Sequence, residues 1–223
     1  MDARQTELAN PFGMDSECEN CPELCGTRSS VVHGYGDVGG DFLVVAEAPD
    51  SGADRAGSPL AGERGSRLRS MFAELGFVEP LEDTESTGGD DGEIEDPHEP
   101  TVRNAFFTHL TRCHHPERPA TEEERANCEP FLNAEIRMIN PQIIVPVGQR
   151  PLEALAIEYT TRAPDSFDVE SEHASTVRGR GFELVPMCDP TAASADQREA
   201  FLEHLRENVL QRDYRQTKGR RSR

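Results

Sequence analysis

The chain has 223 residues, 35% of them hydrophobic, and its 42 acidic against 23 basic side chains leave a formal net charge of −19. That length suits one domain able to bury a real core. No apolar run is long enough to span a membrane, and the first residues lack the basic start and hydrophobic stretch of a signal peptide, so membrane partners are excluded and a cytoplasmic protein is expected.

Along the chain, Cys18 and Cys21 form a C-x-x-C, with Cys25 following. Residues 42–46 read as a buried strand that delivers Glu47, Ala48 and Pro49 to its C-terminal end. A Gly/Pro-rich loop comes next, then a helix starting near residues 62–66, with Leu68, Met71, Phe72 and Leu75 at helical spacing. Residues 79–100, crowded with Glu, Asp, Gly and Pro, read as a disordered acidic insertion. A second strand spans 105–110. A helix over 121–139 opens with a Thr and three glutamates and carries Phe131, Leu132, Ile136 and Ile139. Strands at 143–147 and 182–187 enclose a shorter helix around Leu152, Leu155 and Ala156. A last helix holds Phe201, Leu202, Leu205 and Val209, and residues 212–223 form a basic, flexible tail. This alternation predicts a single α/β domain over 1–211: a three-layer α/β/α sandwich on a mainly parallel four-stranded sheet.

Four cysteines carry the first chemical signal. Cys18 with Cys21 is a tight pair and Cys113 with Cys128 a looser one, a thiolate set that suits an iron–sulfur cluster or a structural zinc. In a reducing cytoplasm such pairs favour metal over disulfide. Cys188 reads as buried core. The second signal is the strand end at Ala46–Pro49 and the loop after it, because open α/β sheets place ligands at that edge. The N–H groups of the helix that follows offer a place for phosphate or a polar base edge.

The motifs resemble the iron–sulfur uracil-DNA glycosylases of the family 4 type. Val31-Val32-His33-Gly34-Tyr35-Gly36 matches the V-V-x-G-x-G approach, and residues 46–50 with 57–62 match G-E-A-P-G and G-x-P-F-V-G. His109-Leu110-Thr111-Arg112-Cys113-His114-His115-Pro116 matches N-V-V-K-C-R-P-P; the segments at 128–132 and 141–148 complete the series. The resemblance implies a structural 4Fe–4S cluster on Cys18, Cys21, Cys113 and Cys128, with zinc as the alternative. It also implies DNA as partner, acted on by a monomer that flips a deaminated base from the stack. Glu47 would orient or activate water; Ala46, Ala48, Pro49, Asp50 and Leu60 would line the base pocket; His109 and Asp189 would face the base. Pro190, Thr191 and Ser194 would meet DNA.

Three positions depart from the family pattern: Leu60 stands for a stacking phenylalanine, His109 for an asparagine, and Asp189 for a histidine. A carboxylate beside a departing anion repels it unless protonated, so Asp189 is expected to obstruct uracil release, or to read another deaminated base in neutral form. A lysine count of one, Lys218, with the acidic balance, suggests a very salty cytoplasm. There the Debye length is about 3 Å and net charge does not veto a DNA partner. The alternatives are a catalytically degenerate DNA- or nucleotide-binding relative and a small iron–sulfur redox protein.

Overall fold

The computed structural model describes residues 7–79, 99–163 and 166–212. Its centre is β2 (Phe42–Ala46), an uninterrupted apolar run buried at all five positions, as a strand covered on both faces must be. Parallel partners flank it: β3 (Ala105–His109) on one side and β4 (Ile143–Pro146) on the other. Beyond β4 lies β6 (Glu183–Leu184), also parallel. Two short antiparallel strands, β1 (Tyr35–Gly36) beside β3 and β5 (Val177–Arg178) beside β6, complete the order β1-β3-β2-β4-β6-β5. The sheet is therefore six-stranded and mixed, not four-stranded. A two-residue edge strand has no periodicity from which to be read.

Alternation along the strands separates two cores. Phe42, Val44, Phe107, Ile143 and Val145 join Leu68, Met71 and Phe72 of α3 (Gly62–Glu74) and Phe201 and Leu202 of α7 (Ala195–Glu203). Leu205 and Val209, on the π-helical turn His204–Val209, extend that cluster. Leu43, Val45, Phe106 and Ile144 instead meet Leu132 and Ile136 of α4 (Glu122–Ile139) and Leu152 and Leu155 of α5 (Gln149–Tyr159). Burying each such side chain is worth about 1.5–3 kcal/mol, so these two faces hold the strand ends in place.

Helix starts follow local chemistry. Thr121 and Glu124 form a reciprocal capping box on α4, and Ser194 with Gln197 does the same on α7. The expected loop after β2 contains a helix, α2 (Ser51–Ala56), because Asp50 accepts the N–H groups of Gly52 and Ala53. Its six residues carry no apolar stripe, so no pattern announced it. Two more short helices, α1 (Pro22–Thr27) and α6 (Val169–Glu172), were missed for the same reason.

The expected acidic insertion lies outside the described residues except at its ends. There Val78 bridges Val102, and the Glu79 N–H donates to the Thr101 carbonyl. The expected basic tail likewise lies outside, save Arg212, which pairs with the buried Glu183. Among the described residues no helix is long and apolar enough to cross a membrane.

Candidate active site and cysteine centre

The parallel register sets Ala46 beside His109 and bridges Val147 to Met187. Glu47, His109 and Asp189 thereby come to one edge of the sheet, beyond the strands' C-terminal ends. Glu47 is half-buried and pairs with Arg150 of α5 at 2.5 Å. Its carbonyl accepts the Thr111 N–H at 3.1 Å, fixing the strand exit. Pro49 is buried, and its carbonyl accepts the His114 Nδ1–H at 2.9 Å.

Asp50 is saturated by the fold. Beyond capping α2, its Oδ2 accepts the Arg64 N–H at 3.2 Å. The α3 N-terminus, expected to offer free N–H groups to phosphate, thus has this one engaged by Asp50. Gly62 sits at φ 73°, and a Cβ there would fall 1.9 Å from Asp50 Oδ1, so the glycine makes this junction possible.

His109 is 3% exposed, and its Nδ1 has no hydrogen-bond partner among the described residues. Burial, followed by the charges of Arg112 and Arg64, holds its pKa well below the usual value, so the ring is neutral. Behind it, Arg112 donates to the His109 carbonyl and to Thr108, and pairs with the equally buried Glu135 at 2.7 Å.

Asp189 overturns one expectation. Its Oδ2 accepts Nε and Nη2 of Arg64 at 3.0 and 2.8 Å, while Oδ1 accepts the Thr191 N–H and hydroxyl at 3.0 and 2.8 Å. Burial opposes ionisation, but Arg64 and Thr191 outweigh it and hold the carboxyl below its usual pKa. It is an ionised, paired group rather than a protonated reader, and its charge is met by an arginine. The structure keeps Ala46 and Leu60 within the core, Leu60 with no exposed surface, while Ala48 is part-exposed and gives its carbonyl to Arg64 at 3.0 Å. Pro190 is buried, Thr191 half-buried, and the Ser194 hydroxyl is spent on the α7 cap. Sequence reading missed Arg64, Arg150 and Arg112. Arginine beside strand-end acids was the available signal, but an arginine-rich chain offers many such neighbours.

The cysteines assemble around a different feature. Cys21 and Cys113 share a small cluster with Leu24, and neighbouring thiols act on one another: Cys18 on Cys21, Cys113 and Cys128, Cys128 on Cys113, Cys21 on Cys128, and Cys25 on Cys21. Burial pushes Cys113 up to about 11 and raises Cys21 and Cys128. Donors oppose it at three sulfurs: Arg28 Nη1 at 3.2 Å from Cys113, Asn127 Nδ2 at 3.5 Å from Cys21, and the Arg112 N–H at Cys128. Buried sulfurs met by N–H donors fit thiolate ligands. Among the described residues, no three His, Cys, Asp or Glu side chains close to single-ion spacing. The Cys25 thiol is directed to the Cys18 carbonyl at 3.7 Å. Cys188 is buried, as expected of a core residue.

The family model described as the Uracil DNA glycosylase superfamily matches residues 33–210. The chain is 27% identical over 166 residues to a type-4 uracil-DNA glycosylase of Thermotoga maritima, covering 74% of this chain and 67% of that one. It is 27% identical over 177 residues to the type-4 enzyme of Pyrobaculum aerophilum, with 78% of each covered. A type-5 uracil-DNA glycosylase of the same organism is 25% identical over 211 residues, 87% of each. With the match running from the approach to β1 through the last helix, over the strand ends that gather Glu47, His109 and Asp189, the chain belongs to the Uracil DNA glycosylase superfamily.

Proposed function

We propose that this protein is a DNA glycosylase of base-excision repair that flips a deaminated base, uracil or a relative of it, and hydrolyses its N-glycosidic bond. The observation that carries this reading is the meeting of Glu47, His109 and the Arg64–Asp189 pair at the C-terminal edge of the sheet, in a member of this superfamily. Glu47, steadied by Arg150, orients the attacking water. Neutral His109 has one ring N–H with which to hold the base edge. Ala48, part-exposed at the strand exit, lines the pocket with Ala46, Pro49 and Leu60 packed beneath it, and Thr191 and Ser194 face DNA from the loop that the buried Pro190 anchors. Cys18, Cys21, Cys113 and Cys128 hold a 4Fe–4S cluster. Bound there, it would supply a cross-link between the N-terminal segment, the turn after β3 and α4; the reaction itself is left to the strand-end residues.

The test is a single-turnover assay in molar KCl with oligonucleotides carrying uracil, hypoxanthine or xanthine. Release of at least one base is expected, and Glu47→Gln should slow it about 100-fold or more, the scale of a lost general base. Specific binding to damaged DNA without release of any base would replace this reading with that of a binding relative.

A further inference from the structure

We propose that Arg64 is the donor that meets the departing base, and that Asp189 positions it. This rests on the glycosylase reading and deepens it. A guanidinium has five N–H groups in a fixed plane. Nε and Nη2 each give one to Asp189 Oδ2, and Nη1 gives one to the Ala48 carbonyl. One N–H on each terminal nitrogen has no partner among the described residues. The side chain is 22% exposed and so retains contact with solvent.

Its position is where the chemistry converges. Ala48 lies two residues past β2, Asp189 follows β6, and the arginine's charge acts on His109 at the end of β3. Asp189 spends both oxygens on protein donors, two from Arg64 and two from Thr191. Asp189 and Arg64 together are net neutral, and with the carboxylate oxygens engaged it is the remaining N–H groups of Arg64 that are left to meet a ligand. Arg64 thus supplies what the family histidine would, from another element. Such a group, held in place beforehand, stabilises developing charge without reorganising.

The step balances simply. The C1′–N1 bond breaks and both its electrons go to the base, giving an anion with charge on O2. Water oxygen bonds to C1′, and the proton it loses ends on the base. Arg64 holds O2 while the charge is present. The substrate class is therefore a base with a carbonyl next to the glycosidic nitrogen, a 2-oxopyrimidine such as uracil. Hypoxanthine, with its carbonyl across the ring system, does not meet this requirement.

The experiment compares uracil and 5-fluorouracil in the same oligonucleotide under single turnover, with the full chain in molar KCl. Arg64→Ala should slow uracil release about 100-fold, the typical loss of one such donor. It should slow 5-fluorouracil release much less, because fluorine already stabilises that anion. Arg64→Lys keeps a charge opposite Asp189 but lacks the outward fork; a normally folded Arg64→Lys that also loses uracil release supports the proposal. Equal losses on both substrates, or a lowered Tm with unchanged rates, would reduce Arg64 to a structural strap. If the natural chain releases no base, the glycosylase reading fails, and binding decides the rest. With a non-cleavable 2′-fluoroarabino-uridine duplex, Arg64→Ala must lower the preference over the matching 2′-fluoroarabino-hypoxanthine duplex, which has no carbonyl beside the glycosidic nitrogen, about 10-fold; an unchanged preference overturns the role of Arg64.

Discussion

His33 shows how one side chain couples folding to acidity. It is 6% exposed; its Nε2–H donates to the Asp15 carbonyl at 2.8 Å, and its Nδ1 has no partner among the described residues. Protonation would place an N–H on Nδ1 with nothing to accept it. Burial is the main reason the pKa falls to about 4; Arg112 pushes the same way, and the Asp15 carbonyl and carboxylate oppose it. Unfolded, the ring binds a proton below about 6.5, whereas the folded ring resists to about 4, so stability falls as pH drops through that window. The full effect is about 3 kcal/mol. His33→Gln, which keeps a donor for Asp15, should flatten the decline measured by denaturant midpoint between pH 6.5 and 4; identical slopes in the two proteins would refute it. At this scale the sequence was partly legible. Glu47 could be placed at a strand end from pattern alone, and His109 and Asp189 from the family resemblance, but their partners Arg150 and Arg64 come from α5 and α3, and pairing across elements leaves no local trace.

Elements were legible in proportion to their length. The 18 residues of α4 carry a cap, a first turn of three glutamates and a repeating apolar face, and each signal points to one boundary. The two-residue strands and six-residue helices are products of their surroundings: β1 exists because β3 offers an edge, and α2 because Asp50 caps it. Thr121 gives a clean test. Its hydroxyl accepts the Glu124 N–H at 3.2 Å, and Glu124 Oε2 accepts the Thr121 N–H at 2.7 Å. Thr121→Ala leaves one donor of the first turn uncapped and should cost about 1 kcal/mol. Thr121→Ser should recover most of that loss. The Asp50 junction is less forgiving. Gly62→Ala combines a positive φ with a Cβ driven into the Asp50 carboxylate, and should cost more than the cap does, seen as a lower midpoint with α2 and α3 losing amide protection together.

At the scale of the molecule, Phe12 and Met14 are anchored in one of the two cores, but the cysteine-bearing stretch of residues 18–31 that follows is held by few apolar contacts. Leu24 and Val31 beside Cys21 and Cys113 make a cluster far smaller than the two cores. Polar ties supplement it: Val32 N–H to the Arg112 carbonyl, Thr27 to His114, Glu23 to Arg118, and Asn127 to the Asn20 carbonyl. Covalent closure through the proposed cluster would supply what burial does not. A cross-link joining Cys21 to Cys113 closes a loop of roughly 100 residues, worth about 4–5 kcal/mol on the chain-entropy scale. Cys113→Ser should therefore abolish the brown colour that an iron–sulfur cluster would give the protein, lower the Tm, and make the segment around residues 15–34 exchange its amides and yield to protease first, with β2, β3 and β4 still protected. The loss should be larger in dilute buffer than in molar KCl, because a chain at −19 repels itself and salt shortens that repulsion to about 3 Å. An iron-free protein with unchanged N-terminal protection would show that the polar ties suffice and that the four cysteines are not a staple.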